Sequence, residues 1–494
     1  MGKALIGWAE ESLVPNKKVS IAGQFYERIS DHVETDITTT AMAIEGDDQK
    51  AIIISCDVTS ITAVLAEKIR KKFAELTDEV DPKYLIFGAT HTHTSIKYMA
   101  GNSVAVDILN EFLPADKQYT KLVKTDDSVM GPEEAQEHLS TRIALAAKKA
   151  WDNRKGAMYK NAFGRAAVGF CRRVCYNDGS AQMWGDTNTA AFTALEGGND
   201  SGIELLYIYD DNKKLTGIVA NIACPSQILE QRSFLSADYW GEAKKLLRQK
   251  LGDDIYLLGL CGAGGDQCPR DLIRWVEPET PINDPNVSRP NVLERTADPS
   301  MYDLSGCRLA GKRIANEIYS IYEEIDENTI KSDISFEHKA MVFDLPLRKA
   351  SISQYKEAVR EIEYYVEKNK DQAEFNFKDS AAMHVYAGTI NRYRQQQTKE
   401  IVPTEVHIIR FGDVAIATNP FELFLDYGNY IKARSFAQQT FIMQLTCGAL
   451  GYLPTEKAEK GGHYSAYISS GNVGHEGGDM LARRSVTEIN KMFE

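Results

Sequence analysis

The sequence predicts an α/β fold: a large mixed-sheet domain built from βαβ units with helical insertions. Three observations predict it. Short apolar runs have the length of buried strands, helix-period stretches separate them, and a Gly-Asp dipeptide joins two of the runs.

The first unit opens with Ala51-Ile-Ile-Ile-Ser-Cys-Asp-Val58, a strand-length apolar run. A helix follows with Ile61, Leu65, Ile69 and Phe73 on one face, and Tyr84-Leu-Ile-Phe87 is the next strand. Strand, helix and strand with a short return make a βαβ unit, which implies parallel pairing. The second unit repeats this grammar with a strand over Gly217–Cys224, a helix over Tyr239–Leu251 and a strand over Ile255–Leu260. In the third, Val406–Phe411 and Val414–Thr418 flank Gly412-Asp413, a two-residue hairpin signal. Ser351–Lys370 carries Ile352, Tyr355, Val359, Ile362 and Val366 at helical spacing. It belongs to a helical segment inserted at about 345–400 in a single domain spanning 1–494. Six of the 15 prolines fall between Pro269 and Pro299, which marks a long irregular loop.

Composition bounds the function. With 43% hydrophobic and 26% charged residues in 494, the chain is globular, not disordered, collagen-like or coiled-coil. Its net charge of −13, with no Lys/Arg cluster, excludes a nucleic-acid binder, which needs a basic face. No stretch approaches the about 18 apolar residues that span a bilayer. Eight cysteines without a CxxC pair read as reduced thiols. Residues Met1–Leu13 carry Lys3, Glu10 and Glu11 and no secretory apolar core, which reads as cytoplasmic, or as secreted or periplasmic if a leader was removed. A small-molecule substrate is the expected partner, and a homo-oligomer is compatible with the composition.

Open α/β sheets bind ligands beyond the carboxyl ends of their strands. Three such ends carry His91-Thr-His93, the glycine-rich loop Gly262-Ala-Gly264-Gly265 with Cys268 beyond it, and Glu422. Two histidines one residue apart share a face if the strand continues through them, whereas a turn at the strand end splays them, so that one binds a metal and the other faces the substrate; the plain alternative is two loop histidines satisfied by backbone. The glycine loop is no dinucleotide fingerprint, because Gln267 occupies the third glycine position and prolines follow. Its N–H groups would instead approach a developing oxyanion, placing Gly264, Gly265 and Asp266 against the substrate. Cys268 is then either a nucleophile activated by a metal or cation, or an inert buried thiol. Glu422 would begin a helix.

Several of these strings, together with Gly7-Trp-Ala9, Ile53-Ile-Ser-Cys-Asp57, Ala89-Thr-His-Thr-His93, Arg172, Leu235-Ser-Ala-Asp238, Gly265-Asp-Gln-Cys-Pro269, Pro420-Phe-Glu422 and Gly451-Tyr-Leu-Pro-Thr455, resemble the catalytic region of the neutral (non-lysosomal) ceramidases. The resemblance runs over essentially the whole chain. It implies His91, Glu422 and Tyr452 as zinc ligands, and His93, Arg172 and Tyr464 around the reacting carbonyl. It sets Cys268 where that family has its nucleophilic serine. The family's second histidine ligand should follow Cys224, where this chain has Pro225, so Cys224 or Gln227 would have to replace it. Arg270 stands where an asparagine is expected, and the β-sandwich domain that longer, lipid-active relatives carry does not follow. The resemblance, with these departures, implies a zinc-assisted, amidase-like hydrolase of a soluble small molecule using a cysteine nucleophile. A glycosidic or other bond on the same scaffold, and a non-catalytic ligand-binding homologue, are the alternatives.

Overall fold

The computed structural model describes residues 4–99, 103–119, 127–276, 296–297 and 303–494. Eight strands form one large sheet: β1 (Leu5–Ser12), β2 (Thr38–Gly46), β3 (Gln49–Cys56), β4 (Leu85–Ala89), β5 (Lys155–Arg165), β6 (Gly202–Asp210), β7 (Leu215–Ile222) and β8 (Tyr256–Cys261). Their order across the sheet is β8-β7-β6-β5-β1-β2-β3-β4. The two predicted βαβ units are its parallel pairs, β3 with β4 and β7 with β8, and the remaining neighbours are antiparallel. A second sheet of four strands, β9 (Phe336–Pro346), β10 (Ile401–Phe411), β11 (Val414–Thr418) and β12 (Gln439–Met443), contains the predicted Gly412 hairpin between β10 and β11.

Side-chain alternation explains how the layers stack. Along β2, Ala41 and Ala43 pack toward helices α1 (Ala63–Leu76) and α2 (Pro132–Asp152), whereas Met42 and Ile44 pack against the second sheet. Along β10, Ile409 and Phe411 face the large sheet, whereas Val406 and Ile408 face the helices Leu425–Arg434 and His475–Phe493 beyond. The other half of the large sheet is covered by α3 (Tyr239–Leu251) and α4 (Asp303–Glu323). The result is a helix–sheet–sheet–helix stack, and strands buried on both faces read as the unbroken Ile52-Ile53-Ile54 run. Two further helices, Ile352–Lys368 and Phe377–Gln395, lie between β9 and β10, where the chain leaves at Pro346 and returns at Ile401. The first starts at a Ser351 capping box. Most of the proline-rich loop, residues 277–295 and 298–302, lies outside the described residues.

Beneath the site-bearing end of β3 lies a buried charge cluster. The Lys244 ammonium sits 3.3 Å from Glu10 and 3.6 Å from Asp57, and Arg248 bonds Glu10 at 2.8 Å. Asp57 accepts from Thr38 N at 2.9 Å and from the Thr90 hydroxyl at 3.1 Å, which ties down the strand end just before His91. Burial pushes the Glu10 carboxyl up, but Lys244 and Arg248 outweigh it and lower it from 4.5 to about 2. Between those values the unfolded chain binds the proton that the folded chain rejects. This contribution is therefore complete above pH 4.5 and lost as pH falls toward 2. Urea unfolding over a pH series should show this acid loss, and Glu10→Gln should flatten it.

Candidate active site

β4 ends at Ala89, and the chain then turns sharply, with His91 at φ +65°. That turn buries the His91 ring and lets its Nδ1 donate to Thr59 O at 2.5 Å. A carbonyl can only accept, so Nδ1 carries a proton and Nε2 is the ring nitrogen left to face the centre. This Nε2 faces Glu422 Oε2 at 3.4 Å and His93 Nε2 at 3.5 Å. The two histidines therefore converge edge to face, with ring centroids 4.9 Å apart. Gly23, at φ +100°, closes over His93; a Cβ there would lie 2.7 Å from its side chain.

Glu422 does not begin a helix. It opens the two-residue strand Glu422–Leu423, which pairs in parallel with Tyr452–Leu453 and so brings Tyr452 alongside it; the helix starts only at Leu425. Burial raises the Glu422 carboxyl, but His91 and Arg172 outweigh that and hold it below its ordinary value. Its Oε2 is buried with no hydrogen-bond donor. A buried carboxylate oxygen left unpaired beside an imidazole nitrogen is the donor arrangement that a cation satisfies.

Arg172 is the hub. Its Nη2 donates to Gly265 O at 2.9 Å and lies 3.4 Å from the Tyr452 hydroxyl, and its Nη1 lies 3.5 Å from Gln227 Oε1. The Tyr452 and Tyr464 hydroxyls are 3.3 Å apart. Burial works against the Arg172 charge, yet Tyr452, Cys268, Glu422 and Tyr464 together raise its pKa. Burial raises the phenols of both tyrosines.

The structure bears on four expectations. The glycine loop has no N–H group to spare for an oxyanion at its three glycines. Gly262 N donates to Ile222 O, Gly264 N to Gln444 Oε1 and Gly265 N to Leu423 O. The loop is stitched down because a Cβ on Gly265 would lie 2.3 Å from Glu422 O, so this glycine permits the close approach that sets Glu422 in place. The Asp266 carboxylate caps the helix Leu425–Arg434 by accepting from Leu425 N at 2.8 Å, and burial pushes it up to about 6. Cys268 is not a poised thiolate. It is fully buried, its Sγ lies 3.2 Å from Arg270 O, and burial pushes the thiol up to about 12 against the pull of Arg172. Cys224 is no substitute ligand either, since its thiol packs against Val168 O and Pro225 O.

One half-buried residue of the site has no signal in the sequence. Glu230 Oε2 lies 3.3 Å from His93 Nδ1. Burial raises this carboxyl, but His93, Arg172 and Arg28 lower it further, while burial lowers His93 against the pull of Glu230. Arg28 also donates to His93 O at 2.7 Å. No spacing in Leu229-Glu-Gln-Arg232 signals this role; only the tertiary approach of its loop to His93 does.

No family model matches the chain, and no curated protein matches it. Among solved structures it is similar to the neutral ceramidase from Pseudomonas aeruginosa, with a TM-score of 0.65 and 12% identity over 99% of this chain and 74% of that one. A ceramidase complexed with C2 matches at a TM-score of 0.64 and 11% identity, covering 99% and 75%. The chain thus has a ceramidase-like fold. Among the described residues, no helix is long and apolar enough to cross a membrane.

Proposed function

We propose that this chain is a metal-assisted hydrolase cleaving an amide (N-acyl) bond of a soluble small molecule, with Cys268 as the attacking group. The observation that carries the reading is the convergence of His91 Nε2 and the unpaired Glu422 Oε2 next to Tyr452 and Arg172. His91, Glu422 and Tyr452 would hold a zinc ion, since about three protein donors plus water make up a catalytic site. Pro225 supplies no fourth donor. When bound, the zinc polarises a carbonyl and favours an anionic attacking group.

The remaining work falls to the chain. Arg172 offers fixed positive charge to the oxygen that becomes negative as the carbonyl is attacked. His93, beside Glu230 at its Nδ1, presents Nε2 to the centre as a proton carrier. Cys268 Sγ bonds to the carbonyl carbon as the C–N bond breaks, and the thiol proton leaves with the amine. Water then cleaves the C–S bond, releasing the carboxylic acid and restoring the thiol. The charges coupled there, Arg28, Glu230 and Arg270 with Arg172 and Glu422, favour a polar substrate over a long lipid.

Product release by the zinc-loaded chain tests this. Short N-acyl amines should be hydrolysed faster than long-chain ceramide in micelles, and aryl glycosides not at all. Faster turnover of ceramide would overturn the soluble substrate, glycoside cleavage would overturn the amide bond, and no turnover at all would leave a binding homologue.

A further inference from the structure

The segment Leu235-Ser-Ala-Asp238 takes no part in the chemistry above, yet it ends in a strained residue. Asp238 has φ +53° and ψ −143° and is fully buried. Positive φ is uncommon outside glycine, and such a backbone persists only where the surrounding structure over-determines it. Glycine would relieve that φ but would bring no carboxylate.

Both oxygens of that carboxylate are in use. Oδ1 accepts from Tyr239 N at 2.8 Å, which caps α3. Oδ2 accepts from Leu229 N at 2.9 Å, which fixes the backbone one residue before Glu230. Asp238 N in turn donates to Ser236 Oγ at 3.0 Å, so the strained turn is closed from within.

The same turn holds the chain on both sides of His93. Ser236 O accepts from the hydroxyls of Thr92 and Thr94 at 2.8 and 3.0 Å, and Ser236 N donates to Thr94 O at 2.9 Å. Arg28 spans the same two loops, donating to His93 O at 2.7 Å and to Arg232 O at 2.6 Å. His93 and Glu230 both lie outside regular strands and helices, so their 3.3 Å approach depends on ties of this kind.

We infer that Asp238 is a positioning residue, and that the turn from Ser236 to Asp238 sets Glu230 against His93 by holding the chain beside each. The inference rests on the reading of that pair as part of the reaction centre. A proton carrier misplaced by about 1 Å loses on the order of 10²-fold in rate, so the tie through Leu229 matters to the chemistry although Asp238 touches no reacting atom.

Asp238→Ser is the test, because serine remains a favoured cap for α3 but lacks the second oxygen that Leu229 N needs. Hydrogen exchange followed by mass spectrometry on the full chain requires no substrate. Faster exchange is expected over residues 227–231, with Tyr239–Leu251 unchanged. With a short N-acyl amine and zinc in excess, kcat should fall by about 10²-fold with little change in KM. The double variant Asp238→Ser/Glu230→Gln should be no slower than Glu230→Gln alone, whereas a merely structural residue would add its own loss. If Asp238→Ser does not fold, Asp238→Asn, which keeps the volume and one acceptor oxygen, is read in the same way. Unchanged exchange over 227–231, or losses that multiply in the double variant, would overturn the proposal. Faster exchange in the variant of a chain that shows no turnover would keep the tie between Asp238 and the pair and overturn the amide reading instead.

Discussion

Replacing Cys268 by alanine is expected to lower amide hydrolysis by about 10³-fold or more, the order seen when the attacking atom of a covalent mechanism is removed. The thiol is buried against Arg270 O and is pushed up to about 12, so alanine leaves only a small cavity in a region that holds no charge at that atom. Stability should therefore change little while activity collapses. Single-turnover kinetics with an activated N-acyl substrate, paired with intact-mass analysis, checks both halves. An acyl adduct on the Cys268 peptide is expected in the wild type and absent from the variant. Because the resting thiol is protonated, iodoacetamide should label it no faster than the buried Cys56, itself pushed up to about 12 by burial.

The second large effect is on stability. Arg173 has no exposed side-chain surface and meets Glu196 through Nε at 2.5 Å and Nη2 at 3.0 Å. Its remaining donors hold the carbonyls of Ala458, Gly462 and Tyr464 at 3.2, 2.9 and 3.1 Å. This one guanidinium thus fastens the loop that carries Tyr464 into the site. Arg173→Met keeps much of the volume but leaves Glu196 charged, buried and unpaired, which costs about 3–5 kcal/mol. Denaturant unfolding should show that loss. The double variant Arg173→Met/Glu196→Leu should recover part of it, because the orphaned charge is gone.

The parts of this molecule that sequence reveals are those fixed by local periodicity. The two parallel units and the Gly412 hairpin are legible because their strands are apolar on both faces or joined by a turn-specific dipeptide. The partner strand of that hairpin, Phe336–Pro346, is not, because its exposed half breaks the apolar run with Glu337, Lys339 and Asp344. His91, His93 and Glu422 were legible as strand-end residues, but their mutual approach depends on the φ +65° turn at His91 and the pairing of Glu422 with Tyr452. The glycine loop misleads for a related reason. Its N–H groups are spent on Ile222, Gln444 and Leu423, residues that adjoin it only in the folded chain. Glu230 depends wholly on long-range packing and leaves no pattern along the chain.

The central claim is that the cup around His91 and Glu422 is the reaction centre, and Glu422→Gln tests it most directly. The substitution is isosteric and removes one negative charge at an oxygen that has no donor. The measurement is kcat/KM for a short N-acyl amine with zinc in excess, on wild type and variant whose unfolding curves coincide. A fall of about 10²–10³-fold is the predicted result, the scale of losing one preorganised electrostatic group. Activity within about threefold of wild type would contradict the account and move the reaction centre elsewhere.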